Sequence, residues 1–129
     1  MRVQVMSHQV PDTIERKLLI HAPIERVFQA VREDLLGKTV GNLAPDSHVH
    51  FDFGEWGRTS VHVIAYEPPT YVAYRWVPGN IFEGDIYAKG STLVEFRLQE
   101  VEGGTEFHLR ESGFASLPTE MFKDAMENN

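Results

Sequence analysis

The sequence predicts an α+β fold. Three observations carry this: a strand that passes at once into a helix near the start, a long middle with a period of two, and a helical stripe at the end. Successive strands with one wet face, joined by hairpin-type turns, predict an antiparallel sheet.

Thr13 to Glu33 is the stretch around which the chain is arranged. Ile14, Leu18 and Ile20 stand two or four apart and share one strand face, with Arg16 the exception on it. Ala22-Pro23 ends that strand, because proline lacks the N–H a ladder needs and its fixed φ suits a first helical turn. Ile24, Val27, Phe28, Val31 and Leu35 then recur at three and four, one helical stripe that must lie against the sheet. A short second helix is expected over Arg32 to Leu36, then turn residues as far as Ser47. Residues 1–12 read as a loose arm or a short extra strand through Val3 and Val5.

From His48 the period becomes two. His48, His50 and Asp52 face one way, and Val49, Phe51 and Phe53 the other. Gly54 and Gly57 bracket a turn, and Thr59 to Tyr66 forms a β-branched strand ended by Glu67-Pro68-Pro69. The next strand, Tyr71 to Val77, sets Val72, Tyr74 and Trp76 opposite Tyr71, Ala73 and Arg75. Ile81 to Gly90 is expected as a short, glycine-interrupted strand. Ser91 to Val101 and Thr105 to Gly113 form a hairpin about Glu102-Gly103-Gly104. Its arms place Val94, Phe96 and Leu98 on one face, and Thr105, Phe107, Leu109 and Glu111 on one face of the second arm. Pro118 opens the last helix, with Met121, Phe122, Ala125 and Met126 as its stripe.

Composition narrows the function. At 129 residues the chain reads as one domain, 1–129, large enough to bury a core without staples. There is no cysteine, so disulfides and thiolate chemistry are excluded, and a reducing cytoplasm fits. No apolar run approaches the roughly 18 residues that span a bilayer, and the N-terminus lacks a signal-type apolar core. A net charge of −7 repels phosphate backbones and argues against a nucleic-acid partner.

Specific residues carry a resemblance. They are Ile20-His21-Ala22-Pro23 leading into Glu25-Arg26-Val27-Phe28, and Glu67-Pro68-Pro69 before Tyr71-Val72-Ala73-Tyr74-Arg75-Trp76. A third is Gly103-Gly104-Thr105 running through Leu109 to Ser112-Gly113-Phe114. In this order they resemble the helix-grip fold of the START-like (SRPBCC) superfamily, which includes the birch pollen allergen and polyketide cyclases. Within it the chain looks most like the branch named after the activator of the heat-shock-protein-90 ATPase. The resemblance implies a curved antiparallel sheet packed on a C-terminal helix, with an apolar cavity between them. The branch name is not itself a function, since most small bacterial members are the domain alone. Pro118 to Asn129 supplies roughly three helical turns at ~3.6 residues each, where the family has about five. The cavity is therefore expected to be small, open or completed by a second subunit, most simply as a two-fold homodimer.

On the face the resemblance assigns to that cavity stand Tyr74, Trp76, Phe96, Phe107, Leu109 and Glu111. The aromatic residues serve equally as core, because a curved sheet under one helix makes core and pocket lining overlap. A desolvated Glu111 could hold a polar ligand group or act as an acid or base; the bland alternative is a water-reached position or a pair with Arg16 or Arg75. His48-x-His50, with Asp46 and Asp52 nearby, could begin a metal site, but no further ligand is marked out by spacing, so no metal is expected. No nucleophile elbow, phosphate loop or dinucleotide fingerprint is present, and no cofactor is expected. The leading reading is a non-enzymatic module that binds a small hydrophobic molecule. The runner-up is a cyclase- or hydratase-like enzyme using Glu111 with Tyr74 or His108. A third is a chaperone co-factor or interaction module working through the outer sheet face.

Overall fold

The computed structural model describes residues 12–35, 38–79 and 81–118. Residues 1–11 of the arm expected at 1–12, the helical stripe from Met121 to Met126 and the self-association argued from it lie outside these residues. β1 (Thr13–Ile20) hands the chain across His21-Ala22-Pro23 to α1 (Ile24–Ala30). The Pro23 carbonyl accepts from Arg26 and Val27 N–H and so closes the first turn, with Glu25 favourably placed against the helix dipole. A π-helical turn, Val31–Leu35, continues the helix directly, where the sequence suggested a second short one.

The remaining strands are β2 (Lys38–Val40), β3 (His48–Asp52), β4 (Arg58–Glu67), β5 (Tyr71–Trp76), β6 (Thr92–Val101) and β7 (Gly104–Ser112). They form one seven-stranded sheet in the order β1-β7-β6-β5-β4-β3-β2, every neighbouring pair antiparallel. Two expectations are corrected. β2 lies in the stretch read as turns, and Ile81 to Gly90 holds no strand among its described residues but a helical turn, α2 (Ile86–Lys89). Asp85 makes that turn possible, because its carboxylate accepts from Tyr87 and Ala88 N–H and caps the helix.

The core lies on one face of the sheet, under α1. Ile24, Val27, Phe28 and Val31 are buried there against Val72, Tyr74, Phe96, Leu98 and Phe107. Each such aliphatic or aromatic side chain contributes about 1.5–3 kcal/mol on burial, so the helical stripe fixes where α1 sits.

Two of the motifs quoted above, the strand-to-helix junction and the glycine hairpin, meet in space. His21 Nδ1 lies 3.1 Å from the Gly103 carbonyl, and the Thr105 hydroxyl donates to the Ala22 carbonyl at 2.8 Å. Gly104 permits this closeness: a Cβ there would stand 2.1 Å from the Ile20 carbonyl oxygen, at φ +154°. The strand-to-helix junction is thus pinned to the β6–β7 hairpin turn.

Candidate functional site

Strand alternation sets the site. Phe107, Leu109 and Glu111 of β7 share a face with Leu18, Arg16 and Ile14, their cross-strand partners on β1. On the other side Phe107 pairs with Leu98, Leu109 with Phe96 and Glu111 with Val94; Phe96 in turn faces Val72, and Val94 faces Tyr74. All six residues expected at the site therefore lie on one face. Their burial divides them. Tyr74, Phe96 and Phe107 are buried, whereas Trp76, Leu109 and Glu111 are half-buried.

The buried aromatics touch one another. Ring centroids are 6.1 Å apart for Tyr74 and Phe96, 5.9 Å for Phe96 and Phe107, and 5.6 Å for Tyr74 and Trp76, with Phe51 5.2 Å from Tyr74. Tilted and edge-on pairs at these separations are attractive and rigid. In Tyr74, burial and then the Glu111 charge push the phenol well above the usual range, so it stays a neutral hydroxyl.

Glu111 is held rather than free. Its Oε2 accepts from Trp76 Nε1 at 3.0 Å and from the Thr92 hydroxyl at 2.6 Å. Those partners replace the arginines considered from sequence: Arg75 faces the opposite side of β5, and the Arg16 guanidinium donates to the Glu15 carbonyl. His108, paired with Glu111 in the runner-up mechanism, also lies on the opposite sheet face, 2.7 Å from Glu15. Thr92 gave no sequence signal, since a threonine in a strand is ordinary. The outer face has its own polar cluster that sequence reasoning missed. The Tyr71 hydroxyl donates to a buried Glu95 at 2.6 Å, and Arg97 and Arg110 lie 3.3 and 3.5 Å from the same carboxylate.

An apolar groove of about 350 Å³ opens between β1 and α1. Leu18, Ile20, Val27, Val31 and Phe107 line it, with Ala30 beside them and Arg26 and Asp34 at its polar margin. Of the six expected residues only Phe107 lines this groove. The others were expected in a cavity between the sheet and the C-terminal helix, whereas the groove needs α1 placed over β1. Its signal was the helical stripe, which sequence reading assigned wholly to the core. As for metals, no group of three or more His, Asp or Glu converges on a common point among the described residues.

The profile of the family described as Activator of Hsp90 ATPase homolog 1-like protein matches residues 21–129. The chain belongs to that family. Solved structures show the same α+β helix-grip fold. A protein from Mesorhizobium loti is 23% identical, with 89% of this chain and 87% of that one covered at a TM-score of 0.64. The Aha1 dimer from Colwellia psychrerythraea is 20% identical, with 89% and 86% covered at 0.63. CalU16 from Micromonospora echinospora is 21% identical at 0.60, with 78% of this chain but 60% of that one covered. A comparison with curated proteins finds no match. Among the described residues no helix is long and apolar enough to cross a membrane.

Proposed function

We propose that this family member binds a small apolar molecule in the groove between β1 and α1, without catalysing a reaction on it. The groove carries the reading. It is lined mostly by aliphatic side chains and Phe107, yet Leu18 on its wall is 56% exposed. Apolar surface in contact with water costs on the order of 25 cal/mol per Å², so an occupant that covers this wall is stabilised. A volume of about 350 Å³ stands at the low end of the roughly 300–1,000 Å³ typical of ligand pockets, which favours a small molecule over a long lipid. Its apolar body would lie over Phe107 and, one step along β7, Leu109. A polar end would reach Arg26 and Asp34. In this reading Tyr74 and Phe96 form the packed wall behind, and Glu111 with Trp76 anchors the far end of the same face.

The absence of turnover rests on Glu111, whose oxygen is tied by two donors within the sheet and makes no hydrogen bond to another titratable group among the described residues. Ala30→Trp places an indole in the groove from the exposed side of α1. Titration with an environment-sensitive hydrophobic dye should show saturable binding to the native chain, and binding weakened roughly tenfold or more in the variant, about 1.4 kcal/mol. Equal dye binding by both would contradict this location.

A further inference from the structure

On the opposite sheet face, β3, β4 and the α2 segment border a second, open cavity of about 460 Å³, whose wall includes His48, His50, Ser60 and Tyr87. The Tyr87 hydroxyl meets His62 Nδ1, and His62 Nε2 lies 2.8 Å from Asp46 Oδ1. With the single imidazole proton on Nε2, facing the carboxylate, Nδ1 is an acceptor and the phenol donates to it. The bonds run from the Tyr87 O–H through His62 to Asp46, the order of a nucleophile, its base and the group that orients the base.

Each member is fixed from a different element. The His62 ring stacks on that of His48, its cross-strand partner, with centroids 4.2 Å apart and planes within 5°, and its side chain is 14% exposed. Asp46 has φ +64°, the one positive value for a non-glycine among the described residues. Its N–H donates to the Val63 carbonyl at 2.8 Å, and Val63 N–H returns a bond to Ser47. Aspartate tolerates that region better than most non-glycine residues, and these two backbone bonds hold the turn there. Tyr87 rides on the turn capped by Asp85, is 53% exposed and lines the cavity.

We propose that Tyr87 is an activated phenol that accepts acyl groups from activated esters, with His62 as its base and Asp46 as the residue that positions His62. The phenol oxygen attacks the ester carbonyl carbon and a new C–O bond forms. The bond from that carbon to the leaving alkoxide or aryloxide breaks. The phenol proton passes to His62 Nδ1 and from there to the departing oxygen, so an ester and a phenol become a tyrosyl ester and an alcohol. The imidazolium formed on the way is stabilised by the Asp46 carboxylate. No residue of the β1–α1 groove takes part.

Tyr71 is an internal reference. Burial, and then its hydrogen bond to Glu95, pushes its phenol up to about 12. The experiment treats the full chain with p-nitrophenyl acetate at mildly alkaline pH and follows acetylation of each tyrosine by peptide mass spectrometry. Tyr87 should be modified roughly tenfold or more faster than Tyr71, and His62→Gln should remove most of that advantage while leaving the Tyr71 rate unchanged. Asp46→Asn keeps a side chain that tolerates the left-handed backbone. Because its amide can also donate to Nε2, it should slow Tyr87 severalfold and show mixed His62 tautomers in ring-nitrogen NMR shifts. Tyr87 acetylated no faster than Tyr71 would overturn the proposal. A Tyr87 rate unchanged by Asp46→Asn, a change on an exposed turn, would overturn it even if His62→Gln failed to fold.

Discussion

Phe28 is 6% exposed at the seam between α1 and the sheet, with the Tyr66 ring 6.2 Å away. Phe28→Ala removes that ring from the buried seam and should cost ~3–5 kcal/mol in a denaturant titration. A loss below about 1 kcal/mol would put the residue outside the core. Tyr71 gives a second expectation at this scale. Its folded phenol ionises near 12, above the roughly 10 of an unfolded chain. The stability it contributes is therefore whole below about pH 10 and declines between about 10 and 12, where only the unfolded state loses the proton. Ultraviolet titration of native protein against Tyr71→Phe should show one phenol that ionises late. A difference spectrum centred near pH 10 would contradict it. Alternation made the shared face of Tyr74, Trp76, Phe96, Phe107, Leu109 and Glu111 legible, because a strand's period is fixed. Which of them keep free surface was not legible, since burial depends on what lies across the face. The Trp76 and Thr92 bonds to Glu111 also needed the cross-strand register, which sequence does not print.

Elements differ in how they announce themselves. β3 to β7 could be read because each carries at least five residues in phase. β2 has three residues and α2 four, too few for any period, and the cap at Asp85 was α2's main local mark. The β6–β7 turn was legible from its glycines, but the reason for Gly104 was not: the Ile20 carbonyl comes from a strand more than eighty residues away in sequence. Gly104→Ala should thus act on two elements, shifting the hairpin turn and loosening the strand-to-helix junction. We expect a loss of about 1–3 kcal/mol or more, read as a lower urea midpoint. An unchanged midpoint would mean that the junction yields at no cost.

At the scale of the molecule, one sheet presents two unlike faces. One carries the core, α1 and the apolar groove; the other carries the histidine and carboxylate clusters. The fold was legible from three short motifs, two of which prove to touch, whereas the groove depends on how a helix and an edge strand sit together. A groove that is a ligand site carries an occupant, which mass spectrometry of a denatured extract of the purified protein would detect. A small apolar compound should be released in near-stoichiometric amount from the native chain and be missing from Ala30→Trp prepared alongside it. An extract indistinguishable from the buffer blank, or the same compound in equal amount from both proteins, would contradict the claim.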